Sequence, residues 1–166
     1  MSKLNSFENL VRKLKEKGLT ISAAESCTGG MLAASLVNVP GASQVLEASF
    51  VTYSENAKMK IVDVSKESLD KYGVVSEKVA LEMAVGAKAK SGSDIGIGIT
   101  GYAGPAADEN DTTAGTVCFG FIFNDKTLTA TKYFGDVGRN AVRELSCIYA
   151  ADTVSRLIKI YGVSDD

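Results

Sequence analysis

The 166-residue chain contains no histidine. That absence removes Ser-His-Asp and Cys-His catalysis, any imidazole acid or base, and the usual nitrogen ligands of transition metals. Cysteine is scarce as well. Cys27, Cys118 and Cys147 are widely spaced and form no CxxC pair, which argues against a disulfide framework or a zinc site and for a reducing, cytoplasmic setting. No apolar stretch reaches the ~20 residues of a membrane span, and the opening "MSKLNSFENL" lacks the apolar core of a signal peptide. The net charge of −2 and the scattered basic residues give no electrostatic ground for nucleic-acid binding. The densest basic cluster, "VRKLKEKG" (11–18), reads as the solvated face of an amphipathic helix. Chemistry must therefore come from carboxylates, lysine, tyrosine, hydroxyls or a bound cofactor.

What is present is an ordinary globular composition, 45% apolar and 23% charged, long enough for one domain over residues 1–166 with a sizeable core. Residues 6–18 place Phe7, Leu10, Val11 and Leu14 at helical spacing, with Ser6 as a cap and Gly18 as the stop. "LTISAAE" (19–25) reads as a short buried strand, "TGGMLAASLVN" (28–38) as a helix, and "QVLEASFVTYS" (44–54) as a second strand. Helices are expected over 55–62, 65–73 and 76–89, the last with Ser76 as its cap. In "DIGIGITG" (94–101), Ile95, Ile97 and Ile99 face one way and Gly96, Gly98 and Thr100 the other, so a helix or ligand packs close to the glycines. A polar loop (102–115), a hairpin turning at Asn124-Asp125 (116–134) and a long last helix (138–162) complete the chain. That helix carries apolar residues at Val142, Leu145, Ile148, Tyr149 and Val154. This order predicts an α/β fold with a mixed sheet between helical layers. The hairpin edge and the apolar last helix make a homodimer an expectation.

"AESCTGG" (24–30) sets Ser26 between a strand and a helix. Two readings stand. Ser26 caps the helix, or the turn lifts its hydroxyl to the rim of the sheet, where nearby amides can hold an oxyanion or phosphate and Gly29 and Gly30 allow close approach. A serine nucleophile needs a base, and without histidine the candidate is a lysine with a lowered pKa. Lys58, in "VTYSENAK" (51–58), lies one helical turn past a strand end that carries Tyr53. Cys27 is a rival nucleophile or a small buried side chain.

"AESCTGG", "VTYSENAK", "YGVVSEKVALEMAVGA", "GITGYAGP" and "AGTVCFG", in this order and spacing, closely resemble the CinA carboxy-terminal family, which includes bacterial nicotinamide-nucleotide amidases. The resemblance runs from about residue 7 to 160 and looks like the stand-alone form, without the amino-terminal domain of two-domain members. It implies a three-layer α/β/α sandwich with a central mixed sheet. It also implies cofactor-free, metal-free hydrolysis of nicotinamide mononucleotide to the nicotinate mononucleotide and ammonia. By the resemblance the nucleophile falls on Ser26, the base on Lys58, and two further catalytic hydroxyls on Tyr53 and Thr100. Candidate substrate contacts are Glu25, Cys27, Thr28, Gly29, Gly30, Gly101, Gly104 and Arg139, with Arg143 a second candidate for the phosphate; both arginines also read as plain surface residues of the last helix. Glu25 reads equally as an attractor of the pyridinium cation or as a structural acid. A nucleotide-binding or competence-related regulatory module without turnover is the alternative. Two departures mark this sequence: "YSENAK" exchanges Glu55 and Asn56 relative to the family order, and "AADENDTT" (106–113) replaces a glycine-rich acidic turn.

Overall fold

A computed structural model describes residues 3–162. Its elements are α1 (Lys3–Lys17), β1 (Ile21–Glu25), α2 (Met31–Val37), a 3-10 turn (Ala42–Gln44), β2 (Leu46–Val51), α3 (Glu55–Val62), α4 (Lys66–Tyr72), α5 (Glu77–Ser91), β3 (Ile95–Gly101), β4 (Thr116–Phe123), β5 (Lys126–Tyr133) and α6 (Arg139–Tyr161). The sheet runs β2-β1-β3-β4-β5. β1 pairs in parallel with β2 and β3, whereas β3–β4 and β4–β5 are antiparallel. The parallel half, with helices feeding its crossovers, brings the C-terminal ends of β1, β2 and β3 to one edge, where ligands of open α/β sheets bind.

α1, α2 and α6 cover one face of the sheet. Their side chains Leu10, Leu14, Leu32, Val142 and Val154 pack with Ile97, Ile99, Phe119 and Phe121 in one buried cluster. α5 covers the other face, joined by α3 and α4 through Val62, Leu69, Val79, Met83 and Ala87. The expected three-layer α/β/α sandwich is therefore the observed one. The glycine face of β3 serves the helix: a Cβ on Gly98 would stand 2.0 Å from the Ala80 carbonyl oxygen and one on Gly96 2.2 Å from that of Ala84. Both distances are far inside van der Waals contact, so α5 sits closer to the sheet than any side chain would permit.

The local differences from the sequence reading have physical causes. α1 begins before Ser6, whose buried hydroxyl has no partner and caps nothing. β2 stops at Val51, because Thr52 and Tyr53 leave the sheet and Ser54 accepts from the Ala57 amide to cap α3. Of the apolar residues of α6, Leu145 is 40% exposed, Ile148 and Tyr149 pack half-buried against the core, and Val142, Ala150, Ala151, Val154, Leu157 and Ile158 are buried in it. Ser76 caps α5, and the hairpin turns at Asn124-Asp125 with Phe123 opposite Lys126, both as expected. No helix among the described residues is long and apolar enough to cross a membrane.

Candidate active site

The segment after β1 decides between the two readings of Ser26. α2 starts only at Met31, behind Gly30 at φ 95°, and no hydroxyl caps it. The cap comes from Glu25. Its fully buried carboxylate accepts from the amides of Leu32 (2.9 Å) and Ala33 (3.2 Å) and from the Ser49 hydroxyl (2.7 Å). Glu25 is thus a structural acid turned into the helix end, and it does not face the cavity that Ser26 lines. The left-handed backbone at Gly29 (φ 54°) and Gly30 lets the chain double back between strand and helix.

Ser26 is left with a different task. Its amide donates to Ile99 O at 3.0 Å, extending the ladder with β3 by one residue. Its hydroxyl meets Lys58 Nζ at 2.9 Å. Lys58, on α3, is completely buried. Its amine also donates to the carbonyls of Thr52 (2.7 Å) and Tyr53 (3.3 Å). Carbonyl oxygens can only accept. A neutral amine has two N–H groups for those carbonyls and one lone pair left, directed at a hydroxyl that can donate to it. Burial favours that neutral form and brings the Lys58 pKa down from 10.5 to about 8, while the neighbouring charges of Cys27 and Glu55 act the other way. Cys27 contributes little at neutral pH, since burial pushes its thiol up to about 11 and keeps it protonated. That also makes Cys27 a poor rival nucleophile.

Ser26 and Cys27 open onto a cavity of about 350 Å³ at the sheet edge. Of the other residues expected there, Tyr53, Thr100, Gly101, Gly104 and Arg139 line it, whereas Thr28, Gly29 and Gly30 shape the turn behind. Arg139, the first residue of α6, donates to Gly104 O at 2.7 Å and to the Tyr53 hydroxyl at 2.9 Å, tying two loops together across the cavity. Tyr53 thereby accepts from Arg139 and keeps its own proton to give. Thr100 is the reverse: its hydroxyl donates to Val74 O at 2.9 Å and offers only lone pairs.

Arg143, one turn further along α6, does not line the cavity. It donates to the carbonyls of Cys27 (2.9 Å) and Thr28 (3.0 Å) and holds the turn that presents Ser26. Sequence reasoning missed that role; the spacing of four from Arg139 was the available signal. It also missed Asp111, a cavity-lining carboxylate within the loop that departs from the family pattern. Among the described residues, no three Cys, Asp or Glu side chains gather as a metal site.

The CinA C-terminal domain model matches residues 4–158 of the chain. The CinA-like protein of Kosmotoga olearia is 43% identical over 151 residues, which is 91% of this chain but 36% of that protein, so the chain spans about a third of that relative's length. Protein YdeJ of Escherichia coli is 43% identical over 134 residues, 78% of each chain. Among solved structures, a CinA superfamily protein from Klebsiella pneumoniae aligns with TM-score 0.91 at 32% identity, covering 97% of this chain and all of that one. The competence/damage inducible protein CihA of Agrobacterium tumefaciens aligns with TM-score 0.84 at 34% identity, covering 92% and 95%.

Proposed function

From the premise that this chain belongs to the CinA C-terminal domain family, we propose that it is an amidohydrolase that releases ammonia from the carboxamide of nicotinamide mononucleotide by a serine–lysine mechanism. The observation that carries the reading is the buried contact of 2.9 Å between Lys58 Nζ and Ser26 Oγ at the wall of a cavity. Neutral Lys58 takes the Ser26 proton as Oγ bonds to the amide carbon. Lys58 then returns that proton to the departing nitrogen, the C–N bond breaks, and ammonia leaves an acyl-serine. Water, deprotonated by the same amine, cleaves the ester and restores Ser26.

The tetrahedral oxyanion needs donors that are not already spent. In the turn, the Ser26 and Gly29 amides donate to Ile99 O and Ser26 O. Those of Cys27 and Thr28 donate to no backbone carbonyl among the described residues, and they are the donors this mechanism assigns to the oxyanion. Through Cys27 O, Arg143 fixes the peptide plane that carries the Thr28 amide. Arg139, the cation on the cavity wall, is assigned the phosphate. The cationic pyridinium ring withdraws electrons from the carboxamide, which suits a nucleophile of ordinary strength.

The test is ammonia release from a panel of nicotinamide mononucleotide, nicotinamide riboside, the dinucleotide and free nicotinamide. Wild type is expected to act on the mononucleotide, and Ser26→Ala to lose at least 10³-fold in turnover, roughly, with an unchanged folded spectrum. Unaltered turnover in Ser26→Ala would remove the serine from the mechanism. Mononucleotide bound tightly by wild type with no ammonia formed would favour a non-catalytic nucleotide-binding module instead.

A further inference from the structure

The loop between β3 and β4 places one carboxylate, Asp111, on the cavity wall. Asp111 is held by its own loop: Oδ1 accepts from the Thr113 amide (2.8 Å) and hydroxyl (2.6 Å), and Oδ2 from the Ala107 amide (2.9 Å). Those donors fix where the charge sits. They also keep the carboxyl well below its usual range, at about 2, so it stays ionised at every working pH. The same cavity carries one cationic side chain, Arg139. Its wall is therefore bipolar, with a fixed anion on the β3–β4 loop and a fixed cation at the start of α6. Glu25, the other carboxylate considered for attracting a cationic ring, is spent on the α2 amides and Ser49 and lies outside that wall.

We infer that Asp111 is a specificity-determining residue that selects an amide carried on a cationic ring, so that the cavity as a whole favours a zwitterion with a positive ring and a negative phosphate. The inference rests on the amidase reading above and sharpens it to a charge class of substrate. A fixed anion of this kind also opposes retention of product, because hydrolysis turns the neutral carboxamide into a carboxylate. Asp111 is half-buried and its field is partly screened by water, so its effect on discrimination is moderate rather than large.

The experiment compares two ligands of nearly the same size that differ by one hydride on the ring: nicotinamide mononucleotide, whose pyridinium is cationic, and its reduced form, whose dihydropyridine ring is uncharged. Both are titrated calorimetrically into Ser26→Ala protein, which avoids turnover, with and without Asp111→Asn or Asp111→Glu. The oxidised form is expected to bind about fivefold more tightly than the reduced form. Asp111→Asn should bring that ratio close to one, and Asp111→Glu, which keeps the charge if not the loop contacts, should restore most of it. Raising the salt concentration should shrink the ratio in the parent and leave it unmoved in Asp111→Asn. An unchanged ratio in Asp111→Asn, or no preference in the parent, overturns the assignment while ammonia release by wild type still stands. Binding of neither form, with no ammonia released by wild type, overturns the amidase reading and this inference together.

Discussion

Two buried charged side chains flank the turn after β1, and their surroundings treat them in opposite ways. On the α2 side, the Glu25 carboxylate receives three donors, two helix amides and a hydroxyl. On the α3 side, the Lys58 amine, equally buried, meets two carbonyls and the Ser26 hydroxyl, with no carboxylate hydrogen-bonded to it. A buried charge given a full set of hydrogen bonds stabilises a fold and does little else. The amine also has three partners, but burial with no anion bonded to it brings its pKa down to about 8, and a neutral amine beside a hydroxyl is a base. The contrast separates the supporting half of the site from the reacting half more sharply than residue type does.

The strongest way to break the comparison is Lys58→Met, which keeps a similar volume and removes the base. Turnover should fall on the order of 10³-fold. The rise in wild-type activity with pH through about 8, where the amine loses its proton, should vanish in the variant. Coincident pH–rate profiles would show that Lys58 is not the base.

Glu25→Ala attacks the other side. It strands the Leu32 and Ala33 amides and the Ser49 hydroxyl in a buried setting, and should cost about 3 kcal/mol in denaturant unfolding. Glu25→Gln, able to accept at one oxygen, should cost less. Loss of activity from Glu25→Ala should follow the loss of folded protein rather than a pH profile.

Stability against pH should sharpen the contrast with a smaller signal. Below about 8 the Lys58 amine is protonated in both folded and unfolded chains, so its burial carries the full cost of an enclosed ammonium. Between about 8 and 10.5 the folded amine is neutral and the unfolded one still protonated. The unfolded state then binds more protons, and stability rises with pH. Lys58→Met should lack that rise and, at neutral pH, exceed wild type by about 2 kcal/mol. Equal slopes for the two proteins would mean that the amine is not destabilised by burial.

The least effect is expected from Cys27→Ala. With its thiol protonated at neutral pH, the substitution should change turnover less than about threefold, and a large loss would return Cys27 to the mechanism.

Much of the architecture could be read without coordinates because its causes are local. The Ile/Gly alternation of β3 announced a close-packed neighbour, and α5 is that neighbour. Of the two serines read as caps, Ser76 caps α5, whereas Ser6 lies inside α1 and caps nothing. Ser26 could not be resolved this way, because a serine before a helix is locally indistinguishable from a cap. The true cap, Glu25, acts on amides seven and eight residues away. Lys58 stood out as a candidate base once histidine was absent, but its pairing with Ser26 had no local sign, since the two are 32 positions apart. Arg143 showed in the sequence only its spacing of four from Arg139, because the carbonyls it holds lie more than a hundred positions away.

The sequence by itself determined the element order, the absence of imidazole chemistry and the close fit of helix to sheet, because periodicity, composition and glycine placement act over a few residues. Only the tertiary structure decided which hydroxyl meets which amine, which acid is spent on a helix end and which arginine faces the cavity. Those outcomes depend on where parallel strands bring their ends together, and on how much water and how many hydrogen bonds are left to each charge once they have done so.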